Sequence, residues 1–475
     1  MIDDLRIHAA DEPGPRHGGE HVLYWMQSTF RARDNYAVDF GVEQANRLRL
    51  PLVVYHGLRH DYPWASDRFH TFLLESVSDL YQEFDQLGIQ YAFYLERGGD
   101  DAASRRAAGR PSPLVDLARR AALVVTDYFP TFLAPRQTRA LRRKVETPVI
   151  AVDSATVVPI RYHEREYPTA APFRPRLMAA LPHFLHRSPS PELRLRRPVD
   201  LPFDPTIPKD GTADLVASCD IDHSVTPVPD LRGGPRAART QLERFLETGL
   251  PRYAEERSDP NADATSGLSP YLHFGNISAA EVILRAREAG PTDQFAKFQD
   301  EILTWRELAF NFTHFHPRHR TVEAIPEWAR RELSIGESDD RPALYTAEEL
   351  EQARTGEPLW NAAQMAYVRD GWMPNPLRML WGKSVIQWTR NAGEALGILE
   401  HLNNKYALDG RDPSSYLNIL WVFGKFDRPF YRRPIYGTVR YLSLKAAEKK
   451  FDTKRVIERY GVGAGQKTHT LLRPC

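Results

Sequence analysis

Three tryptophans, Trp360, Trp381 and Trp388, have the spacing needed to pass an electron from ring to ring, which makes them the most chemically suggestive residues in the chain. Trp381 and Trp388 are seven positions apart on a predicted helix, so they share a face with about 10 Å of axial rise between them. Trp360 belongs to another segment and completes the series as its middle member, with Tyr345 extending it toward the surface. Aromatic residues at helical spacing also pack cores, and spacing alone leaves both readings open. A second cluster is of the anion-binding type. Thr265, Ser266 and Ser269 stand at the mouth of a helix begun by Ser269-Pro270, where hydroxyls, unpaired N–H groups and the helix dipole favour a diphosphate. A capped turn would use the same residues.

The elements that must position these groups are of two kinds. Segments 21–26 and 51–56 read as short apolar strands separated by an amphipathic stretch at 34–48, and another helix follows at about 67–87. Segments 91–95, 123–126 and 148–155 continue the series. Such alternation predicts an α/β N-terminal domain over 1–185, with a parallel sheet covered on both faces. No Gly-x-Gly-x-x-Gly follows the first strand, so an ordinary dinucleotide site is not indicated there. Residues 186–232 are Pro-rich and irregular, and read as an interdomain linker wrapping along the surface. Helical periodicity dominates 239–248, 278–289, 294–312, 346–353, 376–402 and 443–460, which predicts a mostly α-helical domain over 233–475. The tail 462–475 is expected to be poorly ordered.

A chain of 475 residues is too long for one ordinary core, in agreement with two domains. Its net charge of +1 gives no global nucleic-acid signature. Charge is uneven, however: residues 417–460 hold eleven Lys/Arg against four Asp/Glu, a patch that suits phosphates or a solvated face equally. Cys219 and Cys475 are the only cysteines, so neither a disulfide framework nor a cysteine-rich zinc site is expected, and no metal is assigned. Asp3, Asp4 and Asp11 near the start do not fit a secretory signal, and no apolar run approaches about 18 residues. A cytoplasmic protein without a membrane partner is expected.

The tryptophan series, Asn403 and the string Tyr-Ala-Leu-Asp-Gly-Arg-Asp-Pro at 406–413 combine with Asp-Ala-Thr-Ser-Gly-Leu-Ser-Pro-Tyr-Leu-His-Phe-Gly at 263–275. Together they resemble the flavin-binding core of the photolyase/cryptochrome superfamily, and of its class II cyclobutane pyrimidine dimer photolyase branch most closely. The resemblance runs from Tyr24-Trp25-Met26-Gln27 to Arg440-Tyr441 and is strongest at 253–316 and 360–441. It implies a Rossmann-like, antenna-type first domain, a helical FAD- and DNA-binding second domain, and a possible antenna chromophore of the deazaflavin type. Tyr253, Thr265, Ser266, Leu268 and Ser269 match the FAD phosphate and ribityl contacts. Arg378 and Asp409 match the pair beside the isoalloxazine ring, and Asp412 matches a second acidic position there. Asn403 matches an asparagine facing flavin N5, where an amide offers both donor and acceptor; an Asn403-Asn404 turn ending a helix is the alternative. Trp360, Trp381 and Trp388 match the photoreducing triad, with Trp381 nearest the flavin.

On the substrate side, Glu301 matches a carboxyl residue that hydrogen-bonds the dimer, in a role suggesting that it is protonated. Trp305 and Trp421 match two aromatic walls of an apolar cleft that accepts the flipped lesion. Met379 is expected between flavin and lesion, Arg257 on the substrate side, and Arg440 in the DNA gap or on phosphates. The resemblance implies a monomer that binds double-stranded DNA and repairs the pyrimidine dimer by electron transfer from excited FADH⁻. A cryptochrome-like photoreceptor, or a flavoprotein with an altered substrate, are the alternatives. Ser258, Pro374-Asn375-Pro376, Leu380 and Phe426 depart from the usual class II pattern, and Asn375 takes the place of an asparagine that class I photolyases turn toward the dimer.

Overall fold

The computed structural model describes residues 2–8, 13–99, 111–208, 211–289 and 293–461. Its strands are β1 (Ile7–His8), β2 (His21–Met26), β3 (Leu52–Leu58), β4 (Gln90–Leu95), β5 (Ala121–Asp127) and β6 (Val149–Val152). They form one six-stranded sheet in the order β1-β6-β5-β2-β3-β4. Only the β1–β6 pair is antiparallel. β2 and β5 are buried at every position, which is why each reads as an unbroken apolar run. β1, two residues long, left no sequence signal. The strand expected over 148–155 stops at Val152 because Asp153 turns the chain, accepting from the N–H groups of Ala155, Thr156 and Ile160.

Chain order reverses beside β2: β3 and β4 extend the sheet on one side, β5 and β6 on the other. Connections leaving the carboxyl ends of β2 and β5 therefore diverge, and a crevice opens between them. The connector after residue 185 runs along the β4 edge. The Val199 N–H donates to Gln90 Oε1 (2.7 Å) and the Thr206 N–H to the Phe93 carbonyl (2.8 Å). It contains one short helix, Ala213–Ala217, that its irregular composition did not suggest.

The second half is helical, but its breaks differ from expectation. The helix predicted across 376–402 is two, Asn375–Gln387 and Ala392–Tyr406, because Asn391 accepts from the Glu394 N–H and caps a new start. Trp388 thus sits just beyond the first helix. The helix predicted across 294–312 is interrupted by a π-helical turn, Asp300–Trp305, which contains both Glu301 and Trp305. Helices Pro358–Asp370 and Pro413–Val422 both begin with proline, where a missing N–H costs nothing. The 443–460 stretch is two helices, Leu444–Ala447 and Thr453–Tyr460, and the tail 462–475 lies outside the described residues. No described helix is long and apolar enough to cross a membrane.

Buried charges pin the two halves together. Arg68, from helix Asp67–Gln86, donates to the carbonyls of Tyr367 (3.0 Å), Tyr406 (2.6 Å), Val368 (2.6 Å) and Thr226 (3.0 Å). It therefore holds the carboxyl ends of helices Pro358–Asp370 and Ala392–Tyr406, where a cation also meets both helix dipoles favourably. Arg31 bridges Gly275 and Ser154 through their carbonyls, and Glu307 accepts from the N–H groups of Val157 and Val158.

Candidate functional site

Helices Ser269–His273, Asn375–Gln387 and Pro413–Val422 and the π-helical turn enclose a cavity of about 760 Å³. That is the size range of ligand sites. Tyr253, Thr265, Ser266 and Ser269 line it from the 253–269 segment, Arg378 and Met379 from helix Asn375–Gln387, and Asp409 and Asp412 from the turn preceding Pro413. Arg257, Glu301, Trp305, Asn375, Trp421 and Arg440 complete the wall among the residues expected from sequence.

Pro374 and Pro376 do not disrupt helix Asn375–Gln387. Pro374 is its N-cap and Pro376 lies in its first turn, so the donors they lack are ones the helix leaves unused. The Pro374 carbonyl accepts from Leu377 and Arg378, and two residues further on the chain projects Arg378 and Met379 to the cavity. Arg378 Nη2 donates to the Met373 carbonyl (3.5 Å), while its buried Nε has no partner. Burial opposes the Arg378 charge, but the Tyr367 hydroxyl and Asp409 outweigh it and raise the pKa overall. Arg378 and Asp409 act on each other through space and form no direct ion pair, so both keep an edge free toward the cavity.

Asp412 does two jobs. It caps helix Pro413–Val422 by accepting from the Ser414 N–H (2.8 Å), and it pairs with His273 Nδ1 (3.3 Å). Burial works against its ionised form, yet His273, Arg306 and the Ser414 N–H together hold its pKa below the ordinary carboxylate value. Tyr253 is pushed up to about 12 by burial and by Glu301, with Arg257 opposing.

Glu301 is gripped by two cations: Arg257 Nη2 and Lys297 Nζ approach its Oε1 at 2.6 and 2.8 Å. The resemblance implied a carboxyl that hydrogen-bonds the dimer; here its Oε1 is met by two cations. Trp305 and Trp421 also differ from expectation. Their rings stack on each other, centroids 4.8 Å apart and 24° from parallel, and make one continuous wall instead of two facing walls. A base slotted between two rings needs roughly 3.5 Å of contact on each side, about 7 Å in all.

Leu268 and Asn403 lie behind the cavity wall. Leu268 is fully buried, with its N–H on Ser266 Oγ (3.3 Å). Asn403 Nδ2 donates to Asn404 Oδ1 (3.1 Å), and its Oδ1 accepts from the Tyr367 hydroxyl (3.4 Å). Tyr367 in turn begins an unbroken aromatic row. Its ring meets Trp381 at 5.4 Å, Trp381 stacks on Trp360 at 6.4 Å and 9°, Trp360 meets Trp388 at 5.4 Å, and Trp388 meets Tyr345 at 5.3 Å. The Trp381 N–H donates to Gln364 Oε1 (3.0 Å) and the Trp360 N–H to the Trp381 carbonyl (2.9 Å), which fixes both indoles. Trp360 thus stands between the other two, although Trp388 reaches it from beyond its helix.

Sequence reasoning missed His273, Lys297, Arg306 and Lys450, all in the cavity wall. Lys297 had a signal, four residues before Glu301 on a helical stretch. His273, inside the 263–275 string, shows its role only through Asp412. The wall carries six Lys/Arg (257, 297, 306, 378, 440 and 450) against Glu301, Asp409 and Asp412, a cationic excess that suits a polyanionic ligand.

The chain is 34% identical to a deoxyribodipyrimidine photo-lyase of Methanothermobacter thermautotrophicus, over 97% of this chain and 98% of that one. It belongs to the photolyase/cryptochrome superfamily. The DNA photolyase family description matches residues 22–192. Among solved structures, a Synechocystis cryptochrome shares the fold at TM-score 0.68 and 15% identity, covering 94% of this chain and 89% of that one. An archaeal photolyase from Sulfolobus tokodaii, solved with two FAD molecules, shares it at TM-score 0.63 and 16% identity, covering 93% and 90%. The cavity of this photolyase-superfamily chain fits FAD in chemistry as well as size. It offers hydroxyls at Thr265, Ser266 and Ser269 and a buried Arg378 donor that lacks an acceptor.

Proposed function

We propose that the protein is a light-driven cyclobutane pyrimidine dimer photolyase of class II type, acting as a monomer on double-stranded DNA. The observation that carries this reading is that one cavity gathers Thr265, Ser266, Ser269 and Arg378 with Glu301, Trp305, Met379 and Trp421. Cofactor and substrate would meet there in van der Waals contact. When bound, reduced FAD supplies the light absorption and the electron that opens the dimer, and the protein's part is positioning. Thr265, Ser266 and Ser269 hold the diphosphate and ribityl chain, with Tyr253 beside them. Arg378 presents its free Nε to the flavin ring, and Asp409 balances the charge. Asn403 acts from behind the wall through the Tyr367 hydroxyl, and a change of its amide rotamer would turn it toward the ring.

In the same reading the flipped dimer lies against the single Trp305–Trp421 wall. Once the substrate displaces their mutual pair, Arg257 donates to its carbonyls and Glu301 accepts from a pyrimidine ring N–H, with Asn375 and Met379 at its edge. Arg440 and Lys450 meet phosphates at the rim. Electrons that restore the reduced cofactor enter along Tyr345, Trp388, Trp360 and Trp381. Residues 1–185 form the antenna-type domain, 186–232 the linker and 233–475 the FAD- and DNA-binding domain. The crevice beside β2 supports an antenna. It is a cavity of about 150 Å³ lined by Gln27 and Ser28 after β2, Phe129 and Thr131 after β5, and His273 and Arg411 from the helical half, the place where open α/β sheets bind ligands. A deazaflavin-type chromophore is its proposed occupant, and because ligand sites run from roughly 300 Å³ upward, the crevice must open to take it.

A test uses flavin fluorescence of the purified protein. Duplex carrying a thymine dimer should quench the emission of reduced flavin, undamaged duplex should not, and Trp305→Ala should abolish the difference. Equal responses to both duplexes would remove the substrate assignment. A second reading, photoreduction without repair, is favoured by the direct Trp305–Trp421 stacking, which leaves no slot between the indoles.

A further inference from the structure

Gln364 does not line the cavity, yet its side chain is fully buried in the middle of helix Pro358–Asp370. It makes two hydrogen bonds of opposite sense. Its Oε1 accepts from the Trp381 indole N–H (3.0 Å), and its Nε2 donates to the Glu351 carbonyl (3.3 Å). A flipped amide would set two donors together at the indole and two acceptors together at Glu351, so the oxygen is held toward the ring. A methionine would fill the same space without an amide to bury.

Glu351 is itself anchored. It ends helix Ala347–Glu351, whose start is fixed by a reciprocal Thr346–Glu349 capping box. Its carboxylate accepts from Lys405 Nζ and from the Tyr406 hydroxyl, both at 2.7 Å. Tyr345 immediately precedes the cap residue, and its N–H donates to the Trp388 carbonyl (3.2 Å). One segment therefore sets the outer end of the aromatic row through Tyr345 and the inner end through the Glu351 carbonyl and Gln364. The Trp360 N–H donates to the Trp381 carbonyl (2.9 Å), so both inner indoles direct their N–H at an amide oxygen.

We propose that Gln364 is the positioning residue that makes Trp381 the inner electron donor of the row, by holding its N–H against an oxygen that stabilises positive charge but cannot take the proton. The proposal rests on the electron-entry part of the proposed function. In that step Trp381 gives one electron to the photoexcited flavin and becomes a radical cation, and Trp360 then returns one electron to it. Trp388 and Tyr345 pass the deficit outward, where a thiol in solution supplies the electron. An oxidised indole is a strong acid at nitrogen. Beside a base it would release its proton and end as a neutral radical, a weaker oxidant that leaves Trp360 unoxidised. An amide oxygen is too weak a base for that transfer, yet its hydrogen bond to a cation is about twice as strong as to a neutral donor. The cation is therefore favoured, and the proton stays on the Trp381 nitrogen while the vacancy moves to Trp360.

The test uses the full-length, flavin-loaded protein with a thiol reductant. Transient absorption after a flash reads the yield of oxidised tryptophan. Magnetic resonance of the indole N–H groups reads the hydrogen bond, with the Trp381 signal assigned by its loss in Trp381→Phe. Wild type should show a hydrogen-bonded Trp381 N–H and equal rates of electron transfer in light and heavy water. Gln364→Met should carry a free Trp381 N–H and lower the yield by roughly three- to tenfold at equal flavin content. Gln364→Glu, whose protonated carboxyl offers the same acceptor and donor, should restore both signal and yield. A wild-type yield in Gln364→Met overturns the proposal, as does a loss that Gln364→Glu leaves uncorrected although its N–H signal returns. Slower transfer in heavy water also overturns it, and that wild-type measurement stands if a variant fails to fold. Normal photoreduction in Trp381→Phe removes the row itself, and the role of Gln364 with it.

Discussion

Replacing Arg68 with methionine is expected to loosen the flavin cavity from a distance. The guanidinium donates four hydrogen bonds to main-chain carbonyls, two of them ending helix Pro358–Asp370 and one ending Ala392–Tyr406. Those helices carry Trp360 and Asn403. At about 1.5–3 kcal/mol for each bond to a charged group, the gross contribution is on the order of 6–12 kcal/mol. Burying the cation costs much of this: burial pulls the Arg68 pKa down to about 10, with Asp370 and Tyr406 opposing. Methionine fills the space without that cost but takes the side-chain donor from the carbonyls of Tyr406, Val368 and Thr226, while that of Tyr367 keeps the Gly371 N–H, for a net loss of about 3–5 kcal/mol. The assay is thermal release of flavin, followed by its fluorescence, beside an unfolding curve. Arg68→Met should release flavin several degrees below wild type. Arg354→Met, which removes an exposed ion pair with Glu348, should shift stability by no more than about 0.5 kcal/mol. If the two variants behave alike, Arg68 does not pin these helices.

Three further outcomes are expected. Trp381→Phe should block photoreduction while chemically reduced protein still repairs, at a stability cost of about 1–2 kcal/mol for the lost bond to Gln364 and the small void; photoreduction at the normal rate would remove Trp381 as the innermost tryptophan of the row. Glu307 gives a pH prediction of defined sign. Burial raises its pKa to about 7, with Asp153 adding and the Val157 and Val158 N–H groups and Arg306 opposing. Between about pH 4.5 and 7 the folded protein keeps a proton that the unfolded chain has lost, so this residue lowers stability as pH rises across that window, by at most about 3 kcal/mol. Denaturant titrations of Glu307→Gln should lack that slope, and an unchanged slope would assign it elsewhere. Lys450→Ala should reduce the slope of log K against log salt by about 0.9 and weaken intact and dimer-containing duplex alike, whereas a dimer-specific loss would place Lys450 on the lesion.

The strands were legible in sequence because the central ones are buried on both faces, and burial on both faces leaves an unbroken apolar run. What periodicity could not show is where a helix pauses. Trp388 and Thr389 are as buried as the helix before them, so only the Asn391 cap marks the break. The π-helical turn at 300–305 is equally silent, since Ile302, Leu303 and Thr304 are buried in succession through it and no side-chain cap marks its start. Site residues separated by more than a hundred positions, such as Thr265 and Arg378, came together only through the family resemblance. The Trp305–Trp421 stacking and the Arg257–Glu301–Lys297 cluster depend on side-chain conformations, which sequence does not encode locally.

In the proposed repair function the cavity's flavin side and lesion side work on one substrate. Its most direct test is to illuminate the fully reduced protein with an oligonucleotide carrying a single thymine dimer and to quantify restored thymine by chromatography, with a dark control. Light-dependent restoration is expected in the wild type, with a sharp loss in Glu301→Ala while flavin stays bound. Complete flavin reduction with no restored thymine would contradict it and leave photoreduction as the protein's chemistry.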